Sequence, residues 1–136
     1  MTQGRIGLVQ ELFERWNAGR DPLWFVENSQ PGVEIFSRYA EVEGQPFVGA
    51  VGVQRWIREI NESFEVYDAH ADDLREVGDS VLALGSVRFR GRGSGIEMEQ
   101  EMGWVFDFQD GKFSQMLFYD THAEALKAVE AREVRD

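Results

Sequence analysis

The sequence predicts an α+β domain: helices that close the wide end of a bent antiparallel sheet, forming a cone-shaped α+β barrel. Three observations predict it. Ile6, Leu8, Val9, Leu12, Phe13 and Trp16 fall near helical spacing, with Gln10, Glu11, Glu14 and Arg15 opposite. Val53, Trp56, Ile57, Ile60 and Phe64 form a second helical face of the kind that lies across a sheet. Residues 78–120 read as three long strands in strict alternation, joined by two tight turns.

Composition bounds the function. The 136 residues make one domain, 1–136, long enough to bury a core, and four Trp, three Tyr and ten Phe supply it. A net charge of −11 disfavours a phosphate-binding surface, so nucleic acid is not an expected partner. With no cysteine there is no disulfide, thiol nucleophile or Cys-ligated metal, and two histidines without ligand spacing predict no metal site. Charges run through the N-terminal pattern, and no stretch approaches the ~18 apolar residues of a membrane span. A cytoplasmic protein without membrane contact and without a cofactor is the expectation.

The elements follow in order. Asn17-Ala18-Gly19 stops the first helix, glycine being the usual left-handed residue there. Asp21-Pro22 starts a second, with Asp as N-cap and Pro at the first helical position, running from Pro22 to Glu27. Pro31-Gly32 breaks the chain before a strand over Val33–Tyr39, and residues 41–49 form a loop marked by Gly44 and Pro46. The third helix spans Gly49–Phe64. The strand over Glu65–Val77 changes parity between Ala69, Ala71 and Leu74, which predicts a bulge near Asp72-Asp73.

Ser80–Arg92 then folds onto Ile96–Gln109 through a two-residue Ser94-Gly95 turn. Arg92, Arg90 and Arg88 meet Glu97, Glu99 and Glu101 as a charge ladder on one face. The other face pairs Phe89 with Gln100, Val87 with Met102, Gly85 with Trp104 and Ala83 with Phe106. A three-residue Asp110-Gly111-Lys112 loop leads to the last strand, setting Trp104 against Phe118, Phe106 against Met116 and Met102 against Asp120. Thr121 to Glu124 is a capping-box pattern opening a final helix, with Ala125, Leu126 and Val129 as its apolar stripe. Leu82, Leu84, Val105, Leu117 and Tyr119 fall on the ladder side, an apolar patch too large to leave in water. It predicts a homodimer through the outer sheet face.

Several short motifs occur in one order over nearly the whole chain: Trp16-Asn17-Ala18-Gly19-Arg20-Asp21, Gly49-x-x-Gly52-Val53-x-x-Trp56, Gly78-Asp79-x-Val81, Gly91-x-Gly93-Ser94-Gly95, Asp110-Gly111-Lys112 and Tyr119-Asp120…Glu124-Ala125-Leu126. The set resembles the SnoaL-like branch of the nuclear transport factor 2-like (ketosteroid isomerase-like) superfamily. The resemblance implies the cystatin-like cone and its frequent two-fold dimer. Function is left open, because one cone carries isomerases, dehydratases, epoxide hydrolases, cyclases and binders.

The resemblance also implies which positions to inspect. Ketosteroid-isomerase-like members place a tyrosine where Leu12 stands, a general-base aspartate near Ile35-Phe36 and an oxyanion-hole acid at Trp104. Limonene-epoxide-hydrolase-like members place an Asp-Arg-Asp set at Gly85, Val87 and Phe118. SnoaL-type cyclases place a histidine and an aspartate at Trp104 and Phe118. None of these groups is present, so the corresponding acid–base chemistry is not expected.

Two roles are open to Asp120: a base near the mouth of the cone, supported by Tyr39 or His70, or a cap for the final helix. His70 and His122 also read as surface residues. Trp16, Trp24, Trp56, Met102, Trp104, Phe106, Met116 and Phe118 either line a ligand pocket or fill the cone as core, with Gln100, Ser114, Tyr39 and Asp120 as polar anchors. The leading expectation is a binder of a small apolar molecule. The alternatives are a cyclase- or isomerase-type enzyme using Asp120, and a non-catalytic dimerisation module.

Overall fold

Helix α1 (Arg5–Ala18) forms where the apolar stripe is densest and buries Leu8, Val9, Leu12, Phe13 and Trp16. The computed structural model of the chain describes residues 4–37 and 45–135. Gly19, at φ 146°, ends α1. Helix α2 (Pro22–Glu27) starts as the Asp-Pro pair predicts, the Asp21 carboxylate accepting from the backbone N–H groups of Leu23 and Trp24. Such a cap contributes about 1 kcal/mol. Helix α3 (Gly49–Ser63) buries Gly52, Val53, Trp56, Ile57 and Ile60. A Cβ on Gly52 would sit 2.8 Å from the Phe47 carbonyl carbon, so the helix lies directly on the backbone of Phe47. Helix α4 (His122–Arg135) closes the chain.

The six strands among the described residues are β1 (Ser29–Phe36), β2 (Phe47–Val48), β3 (Phe64–Val77), β4 (Ser80–Gly91), β5 (Glu97–Gln109) and β6 (Lys112–Tyr119), in spatial order β2-β1-β6-β5-β4-β3. The α+β class holds. Among the described residues, however, the curved sheet stays open, with β2 and β3 as its edge strands, so it does not close into a barrel. Strand β1 runs parallel to β6, with Ile35 beside Met116, and begins four residues earlier than expected. Pro31 and Gly32 sit within a register irregularity between Ser29 and Glu34 and do not break the strand. Tyr39 and residues 41–44 of the expected 41–49 loop lie outside the described residues, and Phe47–Val48, expected as loop, form β2 instead.

The β4–β5 hairpin keeps the expected faces but slides by two residues: Arg90 faces Glu97, Arg88 faces Glu99, Ala83 faces Trp104 and Val81 faces Phe106. The cause is Arg92. Its backbone N–H donates to Ser63 O (3.1 Å) and its Nε to Asn61 O (2.6 Å), which pulls it off the ladder and onto the end of α3. The connection is therefore residues 92–96, with Gly93 and Gly95 at positive φ. A two-residue slip preserves side-chain parity, so the pattern alone does not exclude it. The charge ladder also reaches β3: Arg88 pairs with Asp68 (3.1 Å) and Glu97 (3.4 Å), and Arg90 with Glu97 (3.1 Å). These pairs are solvent-exposed and contribute about 0–1 kcal/mol each.

The β5–β6 turn is tighter than expected. Asp110 (φ 52°) and Gly111 (φ 78°) form a two-residue loop, Gln109 pairs with Lys112, and a register shift between Asp107 and Phe108 restores the phase. Trp104–Phe118 and Phe106–Met116 therefore pair as predicted. Asp120 falls beyond the end of β6 and does not pair with Met102. The bulge in β3 lies between Ala71 and Asp73, as the parity change predicts. Gly85 opposes it, and a Cβ there would lie 1.8 Å from the His70 carbonyl oxygen.

The outer face carries the largest departure. Leu82, Leu84 and Val105 are buried with Ala125 and Val129 of α4, and Leu117 and Tyr119 pack against that cluster. The apolar patch is thus covered by the chain's own final helix and is not an open dimer centre. Gly103 permits the approach, since a Cβ at that position would come within 2.5 Å of the Ala125 Cβ.

Candidate functional site

The site begins at an edge strand. Among the described residues β3 has no strand on its outer side, and the end of α1 meets that edge with side chains. Trp16 Nε1 and Arg20 Nη2 both donate to Tyr67 O, at 2.9 and 2.5 Å. Asn17 acts as a short strand: its Nδ2 donates to Ala69 O (2.7 Å) and its Oδ1 accepts from Ala69 N–H (2.9 Å). The Trp16-to-Arg20 motif is therefore a dock as well as a helix stop. Burial pushes the Arg20 guanidinium below its ordinary value, while Asp68 and Tyr67 pull it upward. Its Cζ lies 5.0 Å from the Trp16 ring centroid, which fixes that ring as a wall of the cone.

Behind this wall the aromatic groups interlock. Trp16 lies 4.9 Å from Trp56, Trp56 meets Phe118 edge-on at 5.7 Å, and Phe13 meets Trp104 edge-on at 4.9 Å. Each such pair contributes about 0.5–1.5 kcal/mol beyond area burial. They border a partly open void of about 20 Å³, room for roughly one water molecule. Trp16, Trp56, Trp104, Phe106, Met116 and Phe118 line it. Leu12, Phe13, Tyr67 and Ala69 complete the lining. Leu12 and Phe13 precede Trp16 by four and three residues, a helical spacing that places them on one face. Tyr67 and Ala69 depended on the phase of β3, which the bulge obscures.

Among the described residues the lining carries no carboxylate, histidine or basic group. Leu12, Trp104 and Phe118, three of the positions where the resemblance implies acid–base residues, all face the void. One polar atom stands out: Trp56 Nε1 is buried without a hydrogen-bond partner. An unsatisfied donor of this kind costs about 1–3 kcal/mol. Among the described residues no cluster of His, Asp or Glu could hold a metal.

The other sequence-selected residues lie elsewhere. Asp120 follows β6, outside the lining, and the cap of α4 is Thr121, whose Oγ1 accepts from Glu124 N–H at 3.1 Å. His70 is exposed beside Asp72, with Nε2 3.3 Å from Oδ1. His122 is half-buried: its backbone N–H donates to Glu101 Oε1 (2.6 Å), and Nε2 lies 2.8 Å from Gly85 O. Trp24 is buried against Phe25, away from the void. Met102 is core and Gln100 sits opposite Val87, neither of them in the lining. Ser114 lines a separate surface groove with Gln30, Glu34 and Gln115. Tyr39 is outside the described residues.

No family model and no curated protein matches the sequence. Solved structures do match its fold. A nuclear transport factor 2-like protein of unknown function from Burkholderia pseudomallei aligns with TM-score 0.73 and 19% identity, covering 89% of this chain and 93% of its own. A Catenulispora acidiphila protein with a ketosteroid isomerase-like fold, in complex with trimethylamine, aligns with TM-score 0.73 and 13% identity over 95% of each chain. A Jannaschia protein classed by likeness as a SnoaL-like polyketide cyclase aligns with TM-score 0.71 and 18% identity, covering 96% and 98%. By its helices, its six-stranded curved sheet and these likenesses, the chain has the nuclear transport factor 2-like fold of the SnoaL-like and ketosteroid isomerase-like proteins.

Proposed function

We propose that the cone binds a small apolar molecule and does not perform the acid–base chemistry of the isomerases, epoxide hydrolases or cyclases that share its fold. The observation that carries this reading is the lining: Leu12, Trp104 and Phe118 stand where a reaction would need polar groups. A protein of this fold has been solved in complex with a small amine, trimethylamine, which supports the binding of small molecules by the fold. The void itself admits about one water, so a larger guest displaces lining side chains. Tyr67 and Phe118 are the half-buried members of the lining.

Asp120 and His70 lie outside the lining, which does not favour their use as catalysts. Homodimerisation through the outer face loses its apolar argument, because α4 covers the patch. The open part of that face is the charged ladder.

A thermal-shift screen against terpenes, small ketones, aromatic hydrocarbons and short amines tests the reading, repeated on Ala69→Val. That substitution places two methyl groups in the void. A ligand at 100 times its dissociation constant stabilises the fold by about 2.7 kcal/mol, roughly 10 °C in melting temperature. Stabilisation of the native protein, abolished in Ala69→Val, is expected. A panel that stabilises neither protein, or both equally, contradicts a binding chamber at this position.

A further inference from the structure

We propose that a groove outside the cone, opened by the irregularity in β1, is a second binding site, and that it takes the primary ammonium group of a small organic amine with Glu34 as counter-ion. The groove follows from the register. Between the Ser29–Phe113 and Glu34–Gln115 pairs, the four β1 residues Gln30 to Val33 stand opposite Ser114 alone. Val33 is buried in the core, whereas Pro31 and Gly32 are exposed. Nε2 of Gln30 donates to Gln109 O, which ties the irregular stretch to the end of β5. The space beside Ser114 is about 420 Å³ and is bordered by Gln30, Glu34, Gln109, Ser114 and Gln115 as well as by the Pro31-Gly32 stretch.

The lining selects the guest by elimination. Among the described residues it carries one carboxylate, one hydroxyl and three side-chain amides, with no Lys, Arg, His or aromatic ring. An anion meets no positive group there, and the net charge of −11 repels it. A calcium ion takes about six to eight oxygen ligands, and among the described residues no group of His, Asp and Glu could hold a metal. A quaternary ammonium is recognised by aromatic faces, which this lining lacks. A primary ammonium differs in presenting N–H donors as well as charge. The groove meets them with acceptors: the Glu34 carboxylate, Ser114 Oγ and the Gln115 amide oxygen. Glu34 is half-buried, lies in register between Val48 and Gln115, and forms no ion pair among the described residues. Other carboxylates of the sheet are taken, Asp68 and Glu97 by Arg88 and Asp73 by Arg75. The inference is independent of what the cone holds.

Three probes separate charge from hydrogen bonding: n-butylamine as its ammonium ion, tetramethylammonium, and 1-butanol. Each is titrated near neutral pH and at one ionic strength into the 15N-labelled full chain. Butylammonium is expected to move the Ser114 backbone and Gln115 side-chain amide resonances saturably, and the other two to leave them in place. Glu34→Gln is expected to weaken butylammonium about tenfold, the loss of a charge-assisted hydrogen bond. Glu62→Gln removes the same charge from an exposed position on α3 and is expected to leave binding unchanged. If Glu34→Gln does not fold, the native titrations decide alone. Equal binding of tetramethylammonium overturns the ammonium pairing, and undiminished binding by Glu34→Gln overturns the counter-ion. Absence of saturable binding, or shifts spread over the acidic surface, overturns the site. Butylammonium shifts confined to the Trp16 and Trp56 indole resonances also overturn it, while leaving the cone as a chamber; groove shifts with an unoccupied cone support it and count against the cone.

Discussion

Replacing Asn17 by alanine removes both hydrogen bonds that its amide makes to Ala69, at 2.7 and 2.9 Å. Ala69 is 7% exposed, so water reaches its freed backbone groups only in part. Each lost bond costs about 1 kcal/mol if the group rehydrates, and about 1–3 kcal/mol if it stays dry. Alanine returns roughly 0.6 kcal/mol through better helix propensity near the end of α1. The net loss expected is about 2 kcal/mol, roughly 8 °C in melting temperature for a chain of this length. Urea unfolding reads it as a lowered midpoint at unchanged slope. Asn17→Asp separates bonding from packing: the shape is kept and Ala69 N–H retains its acceptor, but Ala69 O now faces a carboxylate and no donor. It should cost at least as much as alanine, and hydrogen exchange at the Ala69 amide should quicken most in Asn17→Ala. A loss below about 0.5 kcal/mol in both variants would refute the docking of α1 on the β3 edge.

Three further outcomes follow from close approaches and placements in the same structure. Gly85→Ala should destabilise by about 3 kcal/mol or prevent folding, read by thermal melting, because its Cβ would lie 1.8 Å from the His70 carbonyl oxygen. Gly103→Ala should cost about 1–3 kcal/mol by pushing α4 off the outer face, and Ala125→Gly in the same chain should recover part of that loss in a double-mutant cycle. Asp120→Asn should leave ligand-dependent stabilisation unchanged, since Asp120 lies outside the lining; a binding loss above tenfold in a titration would return it to the site.

Much of the fold was legible because its signals are local. The stripe through Leu12, Phe13 and Trp16, the Asp21-Pro22 cap and the parity of Trp104, Phe106, Met116 and Phe118 each depend on neighbours a few residues away. The hairpin register was not legible, because a two-residue slip preserves every face and the group that selects it, Arg92, finds its partners on α3. Both halves of the outer-face contact stood in the sequence, as the patch at Leu82, Leu84 and Val105 and the stripe at Ala125 and Val129. Nothing local said that they meet. The parallel β1–β6 pairing is likewise a long-range event.

The site was half legible for a related reason. Residue type and parity named eight aromatic and sulfur-bearing groups, of which six border one space and Trp24 and Met102 do not; how nearly the six fill it depends on rotamers and on the bulge that phases Tyr67 and Ala69. The Asn17 dock had no signal beyond an asparagine at a helix end, where capping is the ordinary explanation. Ser114, Gln100 and Asp120 were chosen as anchors on strand parity, and a register shift in β6 together with the strand's end at Tyr119 removed that basis.

The most direct measurement is a crystal structure of the native protein grown with the strongest stabiliser from the screen. The account predicts ligand density between Trp56, Trp104 and Phe118, with Tyr67 or Phe118 turned outward and no charged side chain touching the guest. Density on the outer face, or a cone unchanged from the ligand-free form while the ligand still stabilises the fold, would contradict it.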